Sequence, residues 1–159
     1  MRVRAEVTGA QATVSGLRAV SPRMQAAIVA GLEDAAQAVA SEAQRLVQDP
    51  PKTGRIYTTR FWTDSAGRLR PGKPRVPHQA SAPGEAPATD TGNLVSLIVV
   101  NQVNAVDYSI EIESQAEYSR FLEYGTRKIA PRPFMRRALQ SMQARIFAIF
   151  TARVRQATP

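Results

Sequence analysis

One histidine, His78, occurs in the chain, and Ser81, Glu85 and Asp90 follow it closely enough to write down a nucleophile, a base and an acid. Such a set does chemistry only when packing fixes the base and an oxyanion hole stands beside the nucleophile. Prolines at 71, 74, 77, 83 and 87 run through this segment, and a proline-rich arm supplies neither. The expected role of His78 is therefore that of a solvated or interface side chain, and no catalytic residue is assigned. The chain has no cysteine, which excludes disulfides and thiolate metal sites. A single histidine without cysteine also argues against zinc. Calcium-loop spacing, a P-loop and a Gly-x-Gly-x-x-Gly turn are absent from the sequence. The expectation is a protein with no metal, no cofactor and no catalytic site.

A second constellation is basic. Lysine and arginine number 21 against 13 aspartates and glutamates, a formal charge of +8. Such a chain is drawn to nucleic acid, to anionic membrane or to acidic protein surfaces. Between Lys52 and Arg75 the only acid is Asp64, so the excess is concentrated there. One reading sets Arg55, Arg60, Arg68, Arg70, Lys73 and Arg75 on a phosphate backbone, with Tyr57, Phe61 and Trp62 stacking on bases. Arg60 and Lys73 are then candidate DNA-channel contacts. A second reading sets the segment against an acidic partner, with the aromatics as anchors, since tyrosine, tryptophan and arginine dominate interface hot spots. Arg55, Tyr57, Phe61, Trp62, Arg68, Arg70, Arg75 and His78 then form a subunit or partner interface. A solvated loop is the third reading, and residue types leave all three open.

The third constellation is "FLEYGTRKIAPRPFM", Phe121 to Met135. Glu123 has no evident acid, base or metal partner, so an active-site reading is poor. Gly125 permits a left-handed exit from a helix, and Pro131 and Pro133 stiffen the link after it. Gly125, Thr126 and Pro133 are therefore assigned to a structural corner, and Asp90, Thr91 and Gly92 to a second one. Glu123, Tyr124 and Phe134 are added to the interface set, with a helix-to-helix corner as the alternative role of the stretch.

The elements that must position these residues are set by periodicity. Val3, Ala5 and Val7 alternate with Arg2, Arg4 and Glu6, which predicts a short half-buried strand. Gly9 and Gly16 punctuate the next segment, with Val14 and Leu17 tucked in. Ser21-Pro22 starts a helix with serine as cap and proline at its first position. Met24, Ile28, Leu32, Ala35, Val39, Ala43 and Leu46 then form one apolar stripe, ended by Asp49-Pro50-Pro51. Alanines dominate the stripe and allow close approach of another element. From Pro50 to Gly92 proline and glycine are too frequent for regular helix and unfavourable for a central strand. An extended arm or loop is expected over 50–91, with a short strand in "RIYTTRFW", a hairpin turn at "DSAGRLR" and an extended run in "PRVPHQASAPGEAPATD". Leu94–Val100 and Val106–Glu113 read as an antiparallel hairpin. Ala116–Tyr124 reads as a short helix closed by Gly125, and Pro133 opens a last helix with Phe134, Ala138, Met142, Ile146, Ile149 and Phe150 at helical spacing.

The order predicts an α+β fold: a small antiparallel sheet packed against a long N-terminal helix and a long C-terminal helix, with a long basic proline-rich arm. A length of 159 residues suits a single domain over 1–159. No apolar run approaches the roughly 20 residues that span a bilayer, and "MRVRAEVTGA" has no apolar signal core, so a non-secreted protein with no membrane partner is expected.

Two segments, "HQASAPGEAPATDTGNLVSLI" and "YSRFLEYGTRKIAPRPFMRRAL", resemble the neck or tail-completion proteins of long-tailed phages, the HK-type group with relatives of the lambda gene-Z product. The resemblance is carried by Ala82, Pro83, Asp90, Thr91, Gly92, Leu94 and Ile98. It continues with Tyr118, Phe121, Glu123, Tyr124, Gly125, Thr126, Pro133, Phe134, Met135, Ala138 and Leu139, and covers roughly residues 78 to 140. It implies a virion structural protein without enzymatic activity or cofactor, assembled in the host bacterial cytoplasm and located at the head–tail junction. It implies a homo-oligomeric ring that joins the tail to the head connector and lets DNA pass. The implied partners are stopper or adaptor proteins of the connector, tail-tube or tail-terminator proteins, and non-specific contact with genomic DNA in the channel. A nucleic-acid-binding module using the basic arm 52–75 is the alternative function.

Overall fold

A computed structural model describes residues 2–4, 21–48 and 52–158, apart from the side chains of residues 2–4, of Arg60 and of residues 73–76. The expectations for Ala5, Glu6, Val7, Gly9, Val14, Gly16, Leu17 and Asp49-Pro50-Pro51 fall outside the described residues. In chain order the elements are β1 (Arg2–Arg4), α1 (Pro22–Gln48), β2 (Ile56–Thr63), β3 (Leu69–Gln79), α2 (Asn93–Ser96), β4 (Ile98–Val100), β5 (Glu111–Ser114), α3 (Ser119–Tyr124) and α4 (Met135–Ala157).

Helix α1 starts as its sequence dictates. The Ser21 hydroxyl accepts the Met24 N–H at 3.4 Å and the Ser21 carbonyl accepts that of Gln25 at 3.0 Å, which satisfies donors that a helix start leaves free. Its buried stripe is Ile28, Gly31, Ala35, Ala36, Val39, Ala40, Ala43 and Val47. The small residues let α4 lie along it. The two helices run antiparallel: the Arg23 guanidinium at the start of α1 donates to the Gln156 carbonyl at the end of α4, 3.2 Å, and Arg153 pairs with Asp34 at 2.6 Å.

Strands β1, β5 and β4 form one antiparallel sheet in that order, with Val3 opposite Ile112 and Val99 opposite Glu113. The core lies between this sheet and the helix pair. Val39, Ala43 and Val47 meet Ile98, Ile110 and Ile112 there, together with Phe134, Met135 and Ala138. This is the expected α+β architecture.

The structure differs from expectation in five local details. Residues Val106–Tyr108 form a turn between the bridge partners Asn104 and Ser109, so that of the expected strand Val106–Glu113 only the end from Glu111 is strand, β5. Helix α3 begins at Ser119 rather than Ala116. The apolar run Leu94–Val100 opens with the helical turn α2, and only Ile98–Val100 is strand. Leu94 and Ile98 are both buried, a four-residue spacing that a continuous apolar run cannot distinguish from a strand. Helix α4 begins at Met135 with Phe134 as its cap, two residues beyond Pro133. The proline-rich run beginning at Pro74 is not a lone extended arm: as far as Gln79 it is strand β3, paired with β2 in a separate two-stranded ribbon. Pro71, Pro74 and Pro77 are tolerated because both strands of such a ribbon are edges.

Candidate functional site

Helix α4 opens on "MRRAL", with no acid in its first turn and no side-chain cap from Phe134. Free N–H groups and two arginines at the positive end of a helix are unfavourable together. Glu123, at the end of α3, supplies what is missing. Its carboxylate accepts the Phe134 N–H at 2.8 Å, that of Met135 at 3.1 Å and that of Arg136 at 2.9 Å. Glu123 is 1% exposed and Phe134 0%. Residue types alone place both in the interface set; the structure instead buries them in their own chain, and Phe134 and Met135 point into their own core.

The link between α3 and α4 is closed on itself. Gly125 has φ 76° and ψ −178°, a region open essentially to glycine alone rather than the left-handed helical region. A β-carbon there would stand 2.7 Å from the Ile129 carbonyl oxygen and 2.9 Å from the Pro131 nitrogen. The Thr126 N–H donates to the Ile129 carbonyl at 2.8 Å, and its hydroxyl accepts the Lys128 and Ile129 N–H groups. The Arg132 N–H returns to the Leu122 carbonyl at 2.6 Å.

This corner holds a second segment, Ser81 to Glu85. The Gly84 N–H donates to the Pro131 carbonyl at 3.0 Å. Arg132 donates to the Ser81 carbonyl at 3.3 Å and Arg137 to the Gly84 carbonyl at 3.0 Å. The two stretches that carry the family resemblance are thus joined in space.

The same segment roots the ribbon. The Glu85 carboxylate accepts the Thr53 hydroxyl at 2.5 Å, the Ala82 N–H at 2.8 Å and the Thr53 N–H at 3.1 Å. The Thr53 hydroxyl, followed by those two amides, holds its carboxyl at about 2, below the ordinary 4.5. The Lys52 ammonium donates to the Leu46 carbonyl at 2.9 Å and the Ala86 carbonyl at 3.1 Å, tying the end of α1 to the same knot. Burial pulls its pKa down. Gly54 lies so close to the returning chain that a β-carbon would meet the Ala80 carbonyl oxygen at 2.6 Å.

Beyond this root the ribbon's large apolar side chains are exposed among the described residues. Phe61 and Trp62 are 56% exposed and Leu69 72%, and Ile56 and Tyr57 are exposed too. Neighbouring residues of a strand face opposite ways, so Phe61 and Trp62 put apolar surface on both faces. Arg55 stacks over the Tyr57 ring, 5.4 Å to its centre. Arg68 is exposed, and Arg70 pairs with Asp64 at 2.9 Å. The side chains of Arg60, Lys73 and Arg75 are not among those described.

Of the remaining predicted residues, Tyr124 is exposed and Pro133 half-buried. Gly92 takes φ 78° ahead of α2, and its N–H reaches the Thr89 hydroxyl at 3.1 Å. Tyr57, His78, Ser81, Asp90, Thr91, Tyr118 and Arg132 line one open cleft of about 400 Å³ between the ribbon root and α3. Glu85, the other acid written down beside His78, is committed to the root. Sequence reasoning missed this root; its only signal was an acid, Glu85, inside a proline-rich loop.

Among the described residues no helix is long and apolar enough to cross a membrane, and no cluster of His, Cys, Asp or Glu could hold a metal. A family model described as "HK97-gp10-like: Bacteriophage HK97-gp10, putative tail-component" matches residues 12–125, well over half of the chain. The match spans α1, the ribbon, α2, β4, β5 and α3 and stops at Gly125, so the Pro133–Leu139 part of the resemblance lies beyond it. No curated protein and no solved structure gives a match.

Proposed function

The chain belongs to the HK97-gp10-like family of bacteriophage tail components, and from that premise we propose that it is a structural ring protein of the head–tail junction. In this reading copies of the chain close into a ring at the neck. The ring completes the tail, joins it to the head connector and leaves a channel for DNA. The role is mechanical and involves no catalysis.

The observation that carries the reading is the ribbon. It projects from a root braced by Lys52, Glu85, Arg132 and Arg137, and it leaves Phe61, Trp62 and Leu69 in solvent. A two-stranded ribbon is marginal alone in water, so one anchored this firmly and dressed in aromatics is built to be covered. Its cover is a neighbouring subunit or the head connector. A ring requires a heterologous contact that closes, and an arm separate from the body provides one.

Light scattering and electron microscopy of the purified chain test this directly. Closed rings, or the protein at the neck of assembled particles, are expected. A chain that stays monomeric at every concentration and is absent from particles overturns the proposal.

A second reading, the nucleic-acid-binding module, draws on exposed Phe61 and Trp62 beside exposed Arg68. Phosphate contacts make affinity fall steeply with salt. Binding to single strands that collapses with added salt and with Arg68→Ala favours it, and undetectable binding at low salt removes it.

A further inference from the structure

The two edges of the ribbon are not alike. Strand β3 uses 11 residues against eight in β2, with register shifts between Tyr57 and Thr59 and between Thr59 and Phe61. Its outer edge carries Pro71, Pro74 and Pro77. Bulges and prolines are the usual means of blocking an edge against pairing. Strand β2, "IYTTRFWT", has no proline and consists almost wholly of β-branched and aromatic residues, the residues best suited to strands.

The ladder says where the β2 amides point. The Asp64 N–H donates to the Arg68 carbonyl at 3.0 Å. Bonded and non-bonded pairs alternate along an antiparallel ladder, so Trp62 with Arg70 is the next bonded pair. Phe61, opposite Pro71, and Thr63, opposite Leu69, then direct their amides away from β3. No further strand pairs with that edge among the described residues.

We infer that the outer edge of β2 captures an extended, acidic segment of a non-identical partner by strand addition. Backbone bonds to Phe61 and Thr63 supply the docking, and charge selects the occupant. Residues 55–79 contain Arg55, Arg60, Arg68, Arg70, Lys73 and Arg75 against the one acid Asp64, which Arg70 already occupies. A second copy of β2 would bring a like-charged strand alongside, and like charges directly opposite destabilise a pair. A strand with glutamate or aspartate at alternate positions relieves that charge and lays its apolar side chains against Phe61 or Trp62. The inference rests on the proposed docking role of the ribbon and names the partner chemistry for it.

Trp62 is the one tryptophan in the chain, so its fluorescence reports on the site. The probe is a peptide of alternating glutamate and valine, as long as β2. Its addition is expected to move Trp62 emission to shorter wavelength, saturably, and to slow hydrogen exchange at the Phe61 and Thr63 amides. Phe61→Ala and Phe61→Pro both remove the ring, but only proline removes the outward amide. Phe61→Pro should bind about tenfold more weakly than Phe61→Ala, the order of one hydrogen bond. Equal affinity of those two variants, equal binding of a lysine–valine peptide, or unchanged exchange at Phe61 and Thr63 overturns strand capture. So does saturation by a single-stranded oligonucleotide in place of the peptide. The exchange measurement uses the unaltered chain and stands even if Phe61→Pro misfolds. Light scattering on the same samples separates the two proposals: rings without peptide capture sink this inference alone, whereas a chain monomeric at every concentration undermines the ring.

Discussion

Glu123 shows how one side chain decides the meeting of two helices. Its carboxylate is the cap that the sequence of α4 lacks, supplied from α3. Glu123→Gln keeps the shape but turns charge-assisted bonds into neutral ones and aims an amide group at backbone donors. Stability should fall by about 2 to 3 kcal/mol, the scale of hydrogen bonds to a buried charged group; urea unfolding of the purified variant measures it. Gly125 is constrained twice, by its backbone angles and by the closeness of Ile129 and Pro131. Gly125→Ala should therefore cost on the order of 1–3 kcal/mol for the strained backbone alone, with the clash added. An unchanged melting temperature would mean that Gly125 does not hold that conformation.

At the level of the element, the ribbon is stiff at its root and uncovered at its tip. Glu85 holds the root, and its depressed carboxyl sets a pH dependence. A group whose folded pKa is lowered contributes stability above its ordinary value and loses it as pH falls through the folded value. The root should accordingly loosen as pH falls from about 4.5 to about 2. Protection of the Thr53 and Ala82 amides, taken relative to their intrinsic exchange rate at each pH, should fall across that window. In Glu85→Gln, protection at those amides should be low on both sides of the window, with no step between. Residue types alone reveal half of this segment. "RIYTTRFW" and the turn at "DSAGRLR" are legible because β-branched and aromatic residues flank a glycine-containing turn. The pairing of the proline-rich run is not, since proline lowers strand propensity everywhere and only the partner strand reveals that these positions are edges.

For the whole molecule, the body and the ribbon should be energetically separable. The core is built from α1, α4 and the three-stranded sheet, and among the described side chains none of its buried residues lies in β2 or β3. Ile56 and Gln79 are cross-strand partners, so a short glycine–serine link between them can replace residues 57–78. That truncated chain should keep its helical circular dichroism and unfold cooperatively within a few degrees of the full chain, while losing every docking function of the ribbon. A collapse of helical signal would show the ribbon to be part of the fold. Residue types and their spacing are enough for the α+β class, both long helices, the absence of cysteine and the resemblance to phage tail proteins. Periodicity, capping residues and composition are local, and a local pattern needs no partner to be read. The fold alone reveals that Glu123 and Phe134 are buried in their own chain, that Glu85 ties the ribbon to the corner, and that among the described residues no strand pairs with the outer edge of β2. Each of these depends on groups far apart in sequence meeting at hydrogen-bond distance. "FLEYGTRKIAPRPFM" names its acid, its glycine and its prolines, but the chain has to fold before the acid finds the three amides it caps.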